Sequence, residues 1–268
     1  MILEPVALKK ANLITGVAEG YYSEAIRRNP HLQKIITGAM PYGGEILDHE
    51  RAKNVIPASW LFKRKEDTFQ FVYAGAMLPH AYGLLEKAMQ SIAANPAIFS
   101  GTEFHFIGTG RSTNDPAGFT IRPLAEKYGL WQSAIFEYPQ RIPYMDVLAH
   151  LNRADGIFIL GSIEAHYTPS KIYQGILSGK PLLALLHKES TAANVIRQTK
   201  TGVVVSIDPA SLDAIKQQFP PAMLRFLQLA REYDFKSIDT GLFDTWSAKN
   251  VTGKLAVLLD KAVALSDV

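Results

Sequence analysis

Phe69-Gln70-Phe71-Val72-Tyr73-Ala74-Gly75 is a short apolar run closed by a glycine, and residues 81–95 after it carry apolar side chains at helical spacing up to Pro96. The alternation repeats downstream. Residues 103–107, 134–138, 156–160, 182–186 and 203–207 read as strands, while 123–128 (stopped by Gly129), 143–154, 169–178 and 188–199 read as helices. A strand-helix-strand order requires parallel strands joined by right-handed crossovers, which places helices on both faces of one sheet. The predicted fold class is therefore α/β, a doubly wound, Rossmann-like parallel sheet of about five or six strands between residues 69 and 207.

Outside that region the pattern thins. Residues 12–17 and 34–37 read as strands, 22–28 as a helix, and Met40-Pro41-Tyr42-Gly43-Gly44 as a turn. Two strands and one helix cannot bury a core alone. After Pro220-Pro221 the chain reads as helical, and residues 246–264 place Val251, Leu255, Leu258, Leu259 and Ala262 at helical spacing.

Composition narrows the chemistry. With no cysteine among 268 residues, disulfides, thiol nucleophiles and cysteine-based zinc sites are excluded. A net charge of +3 is small for this length, so nucleic acid is not an expected partner. No apolar run is long enough to span a bilayer. The opening Met1-Ile2-Leu3-Glu4-Pro5 places an acid and a proline where a secretory signal needs a basic and then an apolar stretch. A cytoplasmic protein is expected, at most peripheral to the inner membrane face.

Ligands of open parallel sheets bind beyond the carboxyl ends of the strands. Those turns hold Gly75 to His80, Gly108-Thr109-Gly110-Arg111, Pro139-Gln140-Arg141, Gly161 to Lys171, and His187. Thr168-Pro169 predicts a helix start, with the hydroxyl as cap and proline in the first turn. The free N–H groups near Ser170 and Lys171 then suit a diphosphate, and Lys171 adds a full charge. The plain alternative is a capped helix with a solvated lysine. Gly108 and Gly110 equally suit a tight turn with no ligand. Arg111 and Arg141 meet phosphate only if the strand order brings them together, and His80 and His166 can donate to a phosphate or a sugar hydroxyl. The zinc-protease, nucleophile-elbow and Walker patterns are absent, as is Asp-x-Asp, so no metal site is indicated.

Four segments carry a family resemblance. Phe71-Val72-Tyr73-Ala74-Gly75 with the helix holding Gly83, Leu84 and Leu85, Phe104 to Gly110, Ile142-Pro143-Tyr144 through Ala154-Asp155, and Thr168-Pro169-Ser170-Lys171 through Gly179-Lys180-Pro181-Leu182 resemble the motifs of group 1 retaining GT-B glycosyltransferases. The last match is the most specific. The resemblance implies the C-terminal, donor-binding half of such an enzyme. Residues 1–45 become a remnant of the N-terminal acceptor domain and linker, 46–240 the nucleotide-sugar domain, and 241–268 a helix crossing back to the missing N-terminal domain. It further implies His166 and Lys171 as catalytic, and Gly75, Ala76, His80, Gly108, Arg111, Arg141, Thr168, Ser170, Lys171 and Gln174 around a nucleoside-diphosphate sugar. That donor is a substrate, with no cofactor or metal, and the acceptor is a saccharide or lipid-linked, as in polysaccharide biosynthesis.

Departures accompany it. The family's two nucleotide-facing glutamates fall on His166 and Gln174, its arginine on Ala76, and its lysine on Ala81 or Tyr82. A non-catalytic nucleotide-sugar-binding homologue or partner subunit is therefore the rival reading, and a sugar-nucleotide epimerase a third. The chain alone is expected to be inactive, and to self-associate through apolar surface on residues 12–17 and the final helix.

Overall fold

A computed structural model describes residues 3–112, 114–165, 167–238 and 240–266. Two short strands, β1 (Leu13–Gly16) and β2 (Ile36–Ala39), flank the helix Gly20–Arg28 and pair in parallel. Six more follow: β3 (Phe69–Ala74), β4 (Thr102–Ile107), β5 (Ile135–Tyr138), β6 (Gly156–Leu160), β7 (Leu182–His187) and β8 (Gly202–Ile207). They form one all-parallel sheet in the order β5-β4-β3-β6-β7-β8. Counted from β3, this is the doubly wound order 3-2-1-4-5-6, which reverses between β3 and β6.

Strand periodicity sorts the core into two layers. Phe71, Tyr73, Phe104, Phe106, Phe158 and Leu183 face the helices Tyr82–Ala94 and Ala214–Glu232. Val72, Ile107, Ile157, Ile159, Ala184 and Leu186 face the helices Tyr144–Arg153, Lys171–Leu177 and Thr191–Thr199. Over β4 the second layer is completed by the connection ahead of β3, where Phe62 stacks on His105 with ring centroids 4.2 Å apart. Burial drives the His105 imidazole down to about 4, so it stays neutral at physiological pH.

Several helix boundaries differ from expectation, three of them with a visible cause. Residues 169–178 shorten to Lys171–Leu177, because the Thr168 hydroxyl pairs with that of Thr191 at 2.8 Å instead of capping. Residues 188–199 shorten to Thr191–Thr199, with Lys188 drawn to Asp208 at 2.8 Å. Conversely, Pro220 and Pro221 lie inside the helix Ala214–Glu232. Pro220 cannot donate to the Lys216 carbonyl one turn back. The Ser91 hydroxyl does so, at 3.0 Å.

The final helix, Ala248–Ser266, returns to the first two strands. The Gly44 N–H donates to the Trp246 carbonyl at 3.1 Å, and the Ala248 N–H donates to the Gly44 carbonyl at 3.0 Å. Gly38 of β2 leaves the space that Leu258 fills. Val251, Leu255, Leu258 and Ala262 are half-buried on this helix, but Leu259 is exposed, off the packed stripe. Among the described residues no helix is long and apolar enough to cross a membrane.

Candidate functional site

The reversal between β3 and β6 opens a crevice at the carboxyl edge of the sheet. Gly75 ends β3 with φ +114°, a conformation favouring glycine, and its N–H donates to the Ile107 carbonyl at 2.8 Å. A hollow of about 390 Å³ there is lined by Gly75, Ala76, Gly108, Arg141, Ser170 and Lys171, with Ile142 and Val147 forming an apolar wall. Six of the residues singled out in the sequence therefore meet.

Lys171 is the centre of this hollow. Its ammonium lies 5.0 Å from the centroid of the Tyr73 ring and 3.5 Å from the Ala76 carbonyl, which also accepts from the Tyr73 hydroxyl at 3.0 Å. No carboxylate pairs with it among the described residues, and burial pulls its amine from 10.5 down to about 8. A charge withdrawn from water without an opposite charge is costly. An anion entering the hollow would offset that cost. The N–H groups of Ser170 and Lys171 also find no acceptor among the described residues.

No protein-family model matches the chain, and no curated protein matches it by sequence. Solved structures do match. Sucrose-phosphate synthase from Thermosynechococcus elongatus aligns over 98% of this chain and 61% of its own, with 13% identity and a TM-score of 0.65. Trehalose 6-phosphate synthase from Burkholderia multivorans covers 96% and 61% at 12% identity, TM-score 0.65. TarM from S. aureus covers 96% and 45% at 15% identity, TM-score 0.61. The fold is that of a GT-B glycosyltransferase.

The chain spans about 61% of the length of the first GT-B enzymes it matches. Its other predicted site residues disperse around the GT-B crevice. Arg111 lines a neighbouring hollow with Tyr82, Ser112, Asp115 and Phe119, away from Lys171. His80 is exposed on the turn Pro79–Ala81, and Thr168 is buried against Thr191. His166 lies outside the described residues. Gln174 turns to the connection between the lobes, where its side-chain carbonyl meets His49 Nε2 at 2.8 Å, and His49 Nδ1 lies 3.2 Å from Asn152. Gly110 has a steric reason, since a Cβ would lie 2.8 Å from the Pro139 carbonyl oxygen.

Tyr73, Ile142, Val147 and His49 were missed in the sequence. Tyr73 had a signal in its position two residues before Gly75, and Ile142 in the motif-like segment it opens. His49 and Gln174 are 125 residues apart, so their pairing leaves no local trace. Tyr21, on the helix Gly20–Arg28, hydrogen-bonds the Thr168 backbone and so ties the N-terminal segment to the turn after β6.

Proposed function

We propose that the chain is the donor-binding part of a glycosyltransferase acting on a nucleoside-diphosphate sugar, with a saccharide or lipid-linked acceptor, in cytoplasmic polysaccharide biosynthesis. The division is 1–45 (acceptor-domain remnant and linker), 46–240 (donor domain) and 241–268 (crossover helix). The observation that carries this reading is Lys171, a half-buried cation with no carboxylate partner among the described residues, at the carboxyl-edge crevice of a doubly wound sheet. Diphosphate oxygens would meet its ammonium and the N–H groups of Ser170 and Lys171, with Arg141 at the rim. As the bond from sugar to phosphate breaks, charge grows on the leaving diphosphate, and a fixed, partly desolvated cation would stabilise that charge more than it does the ground state. No metal or other cofactor is part of this proposal.

The rival, a binding module without transfer activity, is favoured by one observation: Gln174 stands where the resemblance has a glutamate, and its carbonyl is held by His49. Calorimetric titration with UDP, GDP and ADP tests donor binding. Lys171→Ala should weaken whichever nucleotide binds by about tenfold or more, the scale of a charge-assisted hydrogen bond. Equal affinity in both proteins removes Lys171 from the site. Transfer activity, assayed together with an N-terminal acceptor domain, separates enzyme from binding module.

A further inference from the structure

From Arg51 to Lys65 the chain carries Arg51, Lys53, Lys63, Arg64 and Lys65 and no acid. Of the 28 basic residues, only 23 remain for the rest of the chain, against all 25 acids. The net positive charge is therefore concentrated in this strap, which Glu50 and Glu66-Asp67 bound on either side.

The strap begins in the helix Ile46–Ala52 and reaches the amino edge of the sheet, opposite the Lys171 hollow. It is tied down by its last residues. Leu61 N–H donates to His150 Nε2 at 3.1 Å, Phe62 stacks on His105, Arg64 pairs with Asp155, and Lys65 pairs with Glu103 at 2.5 Å. Its middle turns outward. Ile56 is 86% exposed and Trp60 36%. Arg51, Lys53 and Lys63 are exposed with no acid paired to them among the described residues. Trp60 is propped by the Arg153 guanidinium, 4.2 Å from its ring centroid, whose Nε is buried without a hydrogen-bond partner among the described residues.

We infer that residues 51–65 are a docking surface for an anionic lipid bilayer, with Ile56 and Trp60 entering the headgroup region and Arg51, Lys53 and Lys63 meeting lipid phosphates. An aliphatic side chain this exposed gains by entering acyl chains, tryptophan favours the membrane interface, and clustered Lys/Arg are drawn to anionic headgroups. Nucleic acid fits less well: Trp60 lies against both the Arg153 guanidinium and the His150 ring, 5.1 Å between centroids, which leaves less of its surface for a base to stack on. The inference does not depend on the donor reading, because the strap and the hollow lie at opposite edges of the sheet.

Co-sedimentation of the full chain with phosphatidylcholine vesicles, with and without phosphatidylglycerol, tests it. Binding is expected only to the anionic vesicles, falling with salt as charges are screened. Arg51→Glu/Lys53→Glu/Lys63→Glu should lower the partition constant by about a hundredfold or more. Ile56→Asn should lower it severalfold, with unchanged circular dichroism. The tryptophan emission should shift to the blue on vesicles, and Trp60→Phe should abolish the shift. No binding to anionic vesicles, equal binding to neutral ones, or an unaffected triple variant overturns the inference. So does tighter binding to a DNA oligonucleotide that the triple variant abolishes, which would make the patch a nucleic-acid surface.

Discussion

Both lobes are built on parallel strands, yet they are buried to different depths. All residues of β4, β6 and β7 are buried, whereas every residue of β1 and β2 is half-buried or exposed. The cause is coverage. The large sheet has helices on both faces, while β1 and β2 are packed mainly by the helix Gly20–Arg28 and the final helix among the described residues. A parallel strand becomes stable by being covered, since its ladder alone adds little.

Glycine substitutions give the widest separation between the lobes. A Cβ on Gly202 would collide with the Leu182 backbone carbonyl, in the ladder between β7 and β8, where nothing can give way. Gly202→Ala should yield little or no folded protein on expression. On Gly38 the collision is with the end of the flexible Leu258 side chain, so Gly38→Ala should shift the final helix at a cost of about 1 kcal/mol, read by denaturant unfolding. Similar losses from both variants would erase the distinction.

Truncations follow. Phe158→Ala, in the centre of the large core, should cost about 3–5 kcal/mol, while Leu258→Ala should cost about 1 kcal/mol. Unfolding probed separately in each lobe should then resolve two transitions, with β1, β2 and the final helix exchanging amide hydrogens first.

Lys171 tests function against stability within the large lobe. Its folded-state value of about 8 lies below its ordinary 10.5, so between those values the unfolded chain binds more protons and stability should rise with pH. Below pH 8 the penalty is fully present. Lys171→Met should therefore raise stability near pH 7 by about 1–3 kcal/mol while losing diphosphate affinity. In the parent, affinity should weaken as the amine deprotonates above about pH 8. A destabilised Lys171→Met variant would make the lysine structural.

The smallest effect concerns association. Leu3, Val6, Val257, Leu259, Val263 and Leu265 are exposed on the terminal segments. Sedimentation should show a dimer or larger species that Leu259→Glu/Val263→Glu weakens. A clean monomer would mean that the small lobe tolerates its exposure.

The parallel, doubly wound sheet and the carboxyl-edge location of the crevice were legible from residues 69–207, because alternation of apolar runs and helical spacing is local and parallel crossovers have one hand; the strand order and the short helix Pro96–Phe99 were not. Glycines 75 and 108 were legible too, through the positive φ that each adopts at a strand end. The site's composition was not. Thr168 reads as a cap but pairs with Thr191, Gln174 falls on a nucleotide-facing position but pairs with His49, and Arg111 lies in a separate hollow. Each outcome depends on a partner distant in sequence, and hydrogen bonding goes to whichever group packing brings near. The same holds for Lys171: its charge was written in the sequence, but its depressed amine required the burial that only the assembled sheet edge imposes.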